Sequence, residues 1–472
     1  MNTRNKSHLL LLSLLVLVMS FAAPALATDS TADSALAALA QQKASTLVND
    51  LGVTSVQYAV ISNGEIILSG NGGVYSRTDD RPITADTMYG IGSTSKVFTT
   101  AAIMILVDSG KVALDAPVTE YIPEFTMADP RYRQITVRML LNHSSGLLGS
   151  TFRNAFLCND PDHAARDMLL ADLASQRLKA APGEFSVYCN DGFTLAELVV
   201  ERVSGESLTD FIRHNITVPL GMANTATPQD AFDRSRLART YVDALYGYAV
   251  VDTIGVIGTG GIYSTAEDLC RFARIFMNDP GADGADGILS VPSRSAMAAS
   301  EYAKGIWPVQ RCSFVGYGLG WDAVSSYPFD YYGMKAPAKG GDTQLYHSTL
   351  LVLPTANVAA AIVSSGGSSA LNLMVASELL QQLLESRGIL TAARPEVPNG
   401  KPVAAVMPPT LLGHSGLYGG EEGLLTVDIS ADGRLTVTAL GEGASRAATY
   451  TYTAEGVFVS EDGSAQMSFV TE

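Results

Sequence analysis

The sequence predicts an α/β protein of the α+β type: an antiparallel sheet flanked by helices, an inserted helical subdomain, and a small C-terminal all-β domain. Strand-like runs lie at both ends of the first 390 residues, with helical sequence between them. Alternating apolar positions recur after residue 410. The 472 residues, 47% of them hydrophobic, are enough for one large core and an appended module.

The first elements are a helix and a hairpin. Leucines and alanines at helical spacing predict a helix over residues 34–51. Strand-like runs follow at residues 56–62 and 65–70, joined by Asn63-Gly64, the strongest short-range signal for a β-hairpin. A strongly apolar helix is then predicted over residues 93–109, closed by Gly110 as a C-terminal cap.

The middle of the chain is helix-rich, and strands return near residue 340. A clear helix is predicted over residues 194–204, ending before Gly205. Apolar runs at residues 348–353 and 358–364 predict two strands, and residues 371–387 an amphipathic helix. Together with the first hairpin, these strands predict one antiparallel sheet made from both ends of the region.

The C-terminal part differs in composition. Residues 391–409 contain five prolines and are predicted to be a linker. Beyond them, apolar residues alternate on either side of Asp432-Gly433, which predicts a second hairpin. Residues 410–472 therefore form a small all-β domain, expected to be an open sheet or an incomplete module because the strands are few for a closed barrel.

The N-terminus has the pattern of a secretory signal peptide. Arg4 and Lys6 precede an apolar run at residues 9–21, and small residues follow up to Ala27. The run of 13 residues is shorter than the roughly 20 that span a bilayer. We expect cleavage after Ala27, no membrane span in the mature chain, and a secreted or periplasmic protein.

Charge and cysteine content limit the partners further. The net charge of −16 argues against nucleic acid, whose phosphates need clustered Lys and Arg. Four cysteines in an exported chain are compatible with two disulfides, pairing Cys158 with Cys189 and Cys270 with Cys312. Free buried thiols are an equally weighted alternative.

The chemistry is concentrated in residues 90–96, Gly-Ile-Gly-Ser-Thr-Ser-Lys. Two glycines let a ligand approach the backbone of Ser93, which sits at the positive end of the predicted helix. Lys96, three residues on, shares its face. A serine hydroxyl needs an adjacent base, and a buried lysine with a lowered pKa is one. The spacing alone has little specificity.

Two later segments strengthen this interpretation. Tyr188 and Asn190 are two residues apart, so in an extended segment both side chains face the same side. Lys339-Gly340-Gly341 directly precedes an apolar strand, whose edge would offer a backbone N–H and a positive charge to the serine. No Gly-x-Ser-x-Gly elbow and no His-Glu-x-x-His spacing occurs, which disfavours a histidine triad and a catalytic metal. His143 is interpreted as structural.

The order Ser-x-x-Lys, Tyr-x-Asn, Lys-x-Gly resembles the class C β-lactamase and penicillin-recognising serine hydrolase family. Residues 139–147, 219–222 and 258–269 support the likeness, which runs from about residue 35 to residue 388. The resemblance implies a β-lactamase/transpeptidase-like fold without cofactor. The predicted division is a signal peptide at 1–27, a hydrolase domain at 28–390, a linker at 391–409 and a β domain at 410–472.

The resemblance also implies the role of each motif residue. Ser93 attacks the scissile carbonyl and becomes the acyl-enzyme. Lys96 and Tyr188 share the proton transfers, with a Tyr188 phenolate favoured by the ammonium groups of Lys96 and Lys339. Asn190 binds the amide side chain of the substrate.

The second half of the site comes from the late segment. The backbone N–H groups of Ser93 and Asp342 would form the oxyanion hole, so that Lys339, Gly341 and Asp342 join Asn190 as substrate-binding residues. Gly340 departs from the family, which usually has Thr there to hold a substrate carboxylate. Asp342 would also repel a carboxylate unless its side chain turns away.

The predicted function is an exported serine hydrolase that acts through an acyl-enzyme on an amide, peptide or ester, with D-amino-acid peptides and esters as the favoured class. One alternative is a true β-lactamase or D-Ala-D-Ala carboxypeptidase, and another is a non-catalytic penicillin-recognising binding module. The expected partner is a small-molecule or peptide substrate, including fragments of the cell wall.

Overall fold

The computed structural model describes residues 30–469 apart from short gaps at 77, 163, 243–247, 278–286, 302–315, 392–401, 421–422, 441–446, 455 and 462–464. The predicted signal peptide and most of the predicted linker lie outside the described residues. The helices are α1 Ser30–Asn49, α2 Ser95–Asp108, α3 Val137–Leu141, α4 Ala165–Leu173, α5 Asn190–Ser204, α6 Leu208–Ile212, α7 Ile257–Gly260, α8 Ala266–Ala273, α9 Val291–Met297 and α10 Ser369–Ser386. The strands are β1 Ser55–Ser62, β2 Glu65–Ser76, β3 Asp79–Pro82, β4 Tyr89–Gly90, β5 Phe156–Cys158, β6 Thr240–Val242, β7 Tyr248–Val250, β8 Asp252–Ile254, β9 Tyr263–Ser264, β10 Ala338–Asp342, β11 Tyr346–Leu353, β12 Val358–Ser365, β13 Gly416–Gly420, β14 Gly423–Ile429, β15 Arg434–Leu440, β16 Ala447–Tyr452, β17 Phe458–Ser460 and β18 Gln466–Met467.

The central sheet joins the two ends of the catalytic region, as the sequence predicts. Its six strands run in the order β10-β11-β12-β1-β2-β3, and neighbouring strands are antiparallel. The junction of the two ends is the pair β1–β12, with Ala59 opposite Ala361. Both strands are buried along their whole length. Strand β10 is an edge strand of this sheet.

Helices cover both faces of the sheet. On one face, α1 and α10 pack together against the strands through buried aliphatic side chains such as Leu36 and Leu47 of α1 and Leu379 of α10. On the other face lies the larger core, which holds α2, α5 and α8. This arrangement is the predicted β-lactamase/transpeptidase-like fold. None of the helices in the described ranges is both long and apolar enough to cross a bilayer.

The hairpin β1–β2 turns where the sequence predicts. Asn63 and Gly64 have φ angles of 50° and 84°, which this tight turn needs, and Ser62 faces Glu65. Strand β2 extends to Ser76, beyond the predicted end. Its second half contains Gly73, where a Cβ would collide with the carbonyl oxygen of Thr54. This close contact requires glycine, although glycine has a low strand propensity.

Helix α5 begins earlier than predicted. It starts at Asn190 rather than at residue 194, and Asp191 in its first turn accepts hydrogen bonds from the N–H and hydroxyl of Thr151, at 2.7 and 2.9 Å. Its end agrees with the prediction, with Gly205 in the left-handed conformation at φ 78°.

The C-terminal sheet is a meander whose six strands, β13 to β18, pair in sequence order. The predicted hairpin at Gly433 joins β14 to β15. A small core formed by Val427, Leu435 and Phe458 also takes Met407 from the preceding segment. The short strands β13 and β18 were not predicted, because five and two residues show too little alternation.

The predicted disulfides are wrong for the cysteines that the structure describes. Cys158, Cys189 and Cys270 are free thiols, and Cys312 lies outside the described residues. Cys158 is exposed, whereas Cys189 is buried with its sulfur 3.6 Å from the carbonyl oxygen of Gly149. Cys270 is buried against the carbonyl oxygen of Ala59, at 3.4 Å. Cys189 and Cys270 therefore agree with the alternative, free buried thiols, whereas Cys158 is a free thiol at the surface.

Strand β10 packs directly against the start of α2. A Cβ on Gly341 would collide with the carbonyl oxygen of Ile91 and lie 2.7 Å from the backbone nitrogen of Thr94. A Cβ on Gly92 would lie 2.8 Å from the backbone of Asp342. Glycine at both positions is therefore required for this contact between strand and helix.

We expect the Gly341→Ala variant to lose stability, because the strand must move away from the helix. Overpacking of this kind costs about 1–3 kcal/mol in the free energy of unfolding. The measurement is denaturant unfolding followed by tryptophan fluorescence, since Trp321 is fully buried. Gly413→Ala is the matched control, because no atom lies within 4 Å of its added Cβ. Equal stability losses in both variants would contradict the contact.

Candidate active site

Ser93 lies where the chain turns into α2. It is the middle residue of the 3₁₀ turn Gly92–Thr94, and α2 follows directly. The first N–H groups of a helix have no acceptor within it, and the helix dipole places partial positive charge there. The half-buried Ser93 hydroxyl is thus held at an electropositive point.

Lys96 lies one helical turn further on and is fully buried. Its Nζ is 3.0 Å from Ser93 Oγ, 2.7 Å from Asn190 Oδ1 and 2.8 Å from the carbonyl oxygen of Thr259. The latter two oxygens only accept hydrogen bonds, whereas a hydroxyl donates or accepts. Two N–H groups of Lys96 therefore donate to Asn190 and Thr259, and the third position on its Nζ faces the Ser93 hydroxyl.

The pKa of Lys96 lies well below that of an ordinary lysine. Burial is the main cause, since it penalises the charged form, and the positive charge of Lys339 lowers the pKa further. The carboxylate of Asp322 acts in the opposite direction. In the neutral amine, the position that faces Ser93 is a lone pair, to which the serine hydroxyl donates.

Tyr188 stands between Ser93 and Lys339. Its hydroxyl is hydrogen-bonded to the Ser93 side chain and accepts from Lys339 Nζ at 3.5 Å. Part of the side chain stays accessible, but the protein packed around it raises the pKa of Tyr188 well above its usual value, and Asp322 raises it further. The expectation of a phenolate is therefore wrong: burial and the carboxylate keep the proton on Tyr188, and a neutral Lys96 brings no positive charge to oppose them.

His143 supports Tyr188 by stacking. The two rings are 4.4 Å apart at an angle of 27°. His143 Nδ1 accepts the N–H of Cys189 at 3.0 Å, so the proton of the neutral ring is on Nε2. Burial, Lys96 and Lys339 together hold the pKa of His143 well below its usual value. The imidazole therefore stays neutral and fixes the position of the tyrosine.

Lys339 is paired with a carboxylate that the sequence analysis missed. Its Nζ is 3.0 Å from each of the two oxygens of Asp322 and 2.6 Å from the carbonyl oxygen of Gly340. The Lys339 side chain is 1% exposed and that of Asp322 27% exposed. No local pattern marks Asp322, since its position depends on the pairing of Ala323 with Ala338.

Backbone N–H groups of β10 point to the edge of the strand that does not face β11. The N–H of Ala338 donates to the carbonyl oxygen of Ala323 at 2.9 Å, and that of Gly340 donates to Asp322 Oδ2 at 3.0 Å. Neither partner belongs to β11. N–H groups two residues apart along a strand point to the same edge. The N–H of Asp342 therefore points to this edge as well.

The start of α2 lies at the same edge. The closeness of Gly92 to the backbone of Asp342 brings the chain just before Ser93 against the end of β10. Two backbone N–H donors aimed at one point are what an oxyanion hole needs. Gly341 has the role of allowing this approach rather than of touching a ligand with a side chain.

The side chain of Asp342 turns away from this point. Its Oδ1 is 2.6 Å from His347 Nδ1 and accepts the N–H of Ser369 at 2.8 Å, and its Oδ2 accepts the Ser369 hydroxyl at 2.5 Å. These partners hold the pKa of Asp342 below its usual value against the opposing effect of burial. The carboxylate is therefore ionised at the N-terminus of α10.

Asn190 contacts both Lys96 and a residue missed by the sequence analysis. Its Oδ1 accepts from Lys96, and its Nδ2 donates to Ser150 Oγ at 2.8 Å. The amide is thus oriented with one N–H left for a ligand. The structure brings together all the predicted residues, namely Ser93, Lys96, Tyr188, Asn190, Lys339, Gly341 and Asp342. Within the described ranges no cluster of His, Cys, Asp and Glu suits a metal ion.

Comparisons with known proteins agree with this fold. The Beta-lactamase family model matches residues 39–385. Penicillin-binding protein 4 of Amycolatopsis lactamdurans is 28% identical over 336 residues, which are 69% of this chain and 84% of that protein. The D-alanyl-D-alanine-carboxypeptidase/endopeptidase AmpH of Escherichia coli (strain K12) is 29% identical over 235 residues, 48% of this chain; the chain spans 58% of AmpH.

The solved structures extend the likeness to the C-terminal sheet. A crystal structure of SurE with D-Leu superimposes with a TM-score of 0.67 and 22% identity, covering 93% of this chain and 95% of that one. That likeness shows a shared fold. The family model, in contrast, covers most of the sequence, including every element that carries Ser93, Lys96, Tyr188 and Lys339. The chain therefore belongs to the Beta-lactamase family of serine hydrolases.

Proposed function

We propose that this chain is an exported serine hydrolase that cleaves esters, amides or peptides, D-amino-acid derivatives among them, through an acyl-enzyme on Ser93. The observation that carries the proposal is the contact of 3.0 Å between Ser93 and a buried lysine whose pKa is lowered. A weak nucleophile beside a neutral base, opposite two N–H donors, is the arrangement that acyl transfer needs.

The course of acylation follows from the protonation states of Lys96, which is neutral, and Tyr188, which is protonated. Neutral Lys96 takes the proton of Ser93 as Oγ attacks the substrate carbonyl, and the hydrogen bond between them reverses without movement of either residue. Negative charge then develops on the carbonyl oxygen, which the N–H groups of Ser93 and Asp342 stabilise. Tyr188, which keeps its proton in the resting enzyme, donates it to the leaving group and regains one from Lys96.

Deacylation uses the same groups in reverse. A water molecule takes the place of the leaving group. As it attacks the ester carbonyl, it gives a proton to Tyr188, whose own proton passes to neutral Lys96. The bond to Ser93 Oγ breaks, and Lys96 returns its proton to the serine. By microscopic reversibility the group that was the acid now acts as the base.

Export and domain division are part of the same proposal. The positively charged start and apolar run of residues 1–27 support secretion or transport to the periplasm. Residues 28–390 would carry the reaction and residues 410–472 an accessory β domain. Substrates that contain D-amino acids are supported by the likeness to AmpH, a D-alanyl-D-alanine-carboxypeptidase/endopeptidase, and to SurE, whose structure contains D-Leu.

The first prediction concerns the nucleophile. A fluorophosphonate probe should label the wild-type protein, and peptide mass spectrometry should place the label on Ser93. Labelling should be lost in Ser93→Ala but kept in Ser109→Ala, an exposed serine at the other end of the same helix. Labelling that persists in Ser93→Ala would overturn the proposed function.

The second prediction concerns the reaction type. We expect measurable hydrolysis of p-nitrophenyl acetate, faster release from D-alanine p-nitroanilide than from the L-isomer, and slow turnover of nitrocefin. Lys339 is already paired with Asp322, which weakens recognition of the carboxylate that a β-lactam carries. Nitrocefin turnover faster than ester turnover would instead favour a β-lactamase.

The third prediction concerns pH. Activity needs neutral Lys96, so kcat/KM for a neutral ester should already be high at pH values well below the usual lysine pKa of 10.5. It should fall as the pH drops through the lowered pKa of Lys96. Asp322 raises the pKa of Lys96, so Asp322→Asn should shift this acid limb to lower pH. Lys96→Met should lose about 10²–10⁴-fold in rate. A limb that stays in place in Asp322→Asn would contradict the assignment.

A further inference from the structure

A small cavity lies beside Gly340 and Asp322, the neighbour and the ion-pair partner of Lys339. It has a volume of about 150 Å³ and lies between β10 and the first turns of α10. Asp322, Gly340, Ser369 and Leu373 are among the residues that line it. None of the described lining residues is a lysine or an arginine, and most of the lining is apolar.

Gly340 keeps the strand side of this cavity open. A Cβ at this position would lie 2.9 Å from Ser369 Oγ and 3.1 Å from Ser369 Cβ, so a threonine would crowd the start of α10. The Ser369 hydroxyl is also committed to Asp342. The site therefore offers no hydroxyl at residue 340 and no free one at residue 369 to bind a carboxylate.

The charges at the cavity are arranged against an anion. Lys339 has three N–H groups, and each has an acceptor: Asp322, the carbonyl oxygen of Gly340 and the Tyr188 hydroxyl. Asp322 neutralises the ammonium, and the ionised Asp342 adds a further negative charge at the rim. A carboxylate placed here would have to displace Asp322 or remain beside it unpaired, and both are costly.

The position of Tyr188 shows which part of a substrate faces the cavity. Tyr188 must reach the leaving group to protonate it, and its hydroxyl lies between Ser93 and Lys339. A leaving group that reaches Tyr188 would therefore lie on the Lys339 side of Ser93, and Asp322, which pairs with Lys339, lines the cavity on that side. The acyl group would then lie towards Asn190, whose Nδ2 uses one of its two N–H groups for Ser150.

We propose that this cavity binds the leaving group of the substrate, and that Asp322 restricts it to alcohols and amines without a carboxylate. The proposal rests on the proposed function and names its substrate class. Peptide or ester substrates would thus be cut before an uncharged or cationic group. Asp322 acts as a specificity residue because its carboxylate pairs with the ammonium group of Lys339 and so leaves that charge unavailable to a substrate carboxylate.

The test uses two esters that share the acetyl group and differ in the charge of the leaving group, the acetates of methyl 4-hydroxybenzoate and of 4-hydroxybenzoate. Each enzymatic rate is divided by the rate at which hydroxide hydrolyses the same ester. The wild-type protein should favour the uncharged ester by at least about tenfold in kcat/KM, because the carboxylates of Asp322 and Asp342 repel the carboxylate of the other ester. Asp322→Asn should reduce this ratio by about tenfold or more. Asp115→Asn, whose side chain is 76% exposed and pairs with Arg138, removes the same charge elsewhere and should leave the ratio unchanged.

A second variant tests the cavity itself. Ala370→Trp fills it from an exposed position, and should lower kcat/KM for the acetate of methyl 4-hydroxybenzoate more than for methyl acetate. Ala38→Trp, an exposed alanine of α1, is the matched control.

The outcomes separate the two proposals. A wild-type ratio near one, a ratio unchanged by Asp322→Asn, or equal effects of Ala370→Trp on both esters would overturn the leaving-group proposal while fluorophosphonate labelling of Ser93 stands. Loss of Ser93 labelling in the wild type would instead overturn the proposed function.

Discussion

The site depends on one buried amine. Lys96 is enclosed completely, and its nitrogen has two acceptors, Asn190 and Thr259, besides Ser93. Burial makes the neutral form favourable, and the two acceptors direct its lone pair to the nucleophile. Helix α5, which begins at Asn190, and the short helix that contains Thr259 each supply one of these acceptors, so both lie against the lysine.

The same burial assigns the proton of Tyr188. An exposed tyrosine between two lysines would tend to ionise, but here the surrounding protein and Asp322 raise its pKa. The base and the acid are thereby separated into different side chains, with Lys96 neutral and Tyr188 protonated. Pairs of titratable groups with pKa values moved in opposite directions are characteristic of acid–base catalysis. His143 holds the tyrosine ring in place without a charge of its own.

Local signals predicted much of this molecule. The turn at Asn63-Gly64 and the cap at Gly205 depend on backbone conformations that neighbouring residues dictate, so they could be read from the sequence. Asp322 could not, because it meets Lys339 through a bridge between distant segments. The proposed pairing of Cys158 with Cys189 failed for a similar reason, since spacing along the chain does not reveal that one is exposed and the other buried. The direction in which the pKa of Tyr188 is shifted depends on how the protein packs around it, which no sequence motif describes.

The charge state of Lys96 is the most direct test of the account. Its side-chain ¹³Cε and ¹⁵Nζ resonances can be measured in protein labelled with ¹³C,¹⁵N-lysine and assigned by their loss in Lys96→Met. The account predicts shifts of a neutral amine at the pH of maximal activity, with the ammonium form appearing only on acidification. Ammonium shifts at that pH, with a titration near the usual value of 10.5, would contradict it.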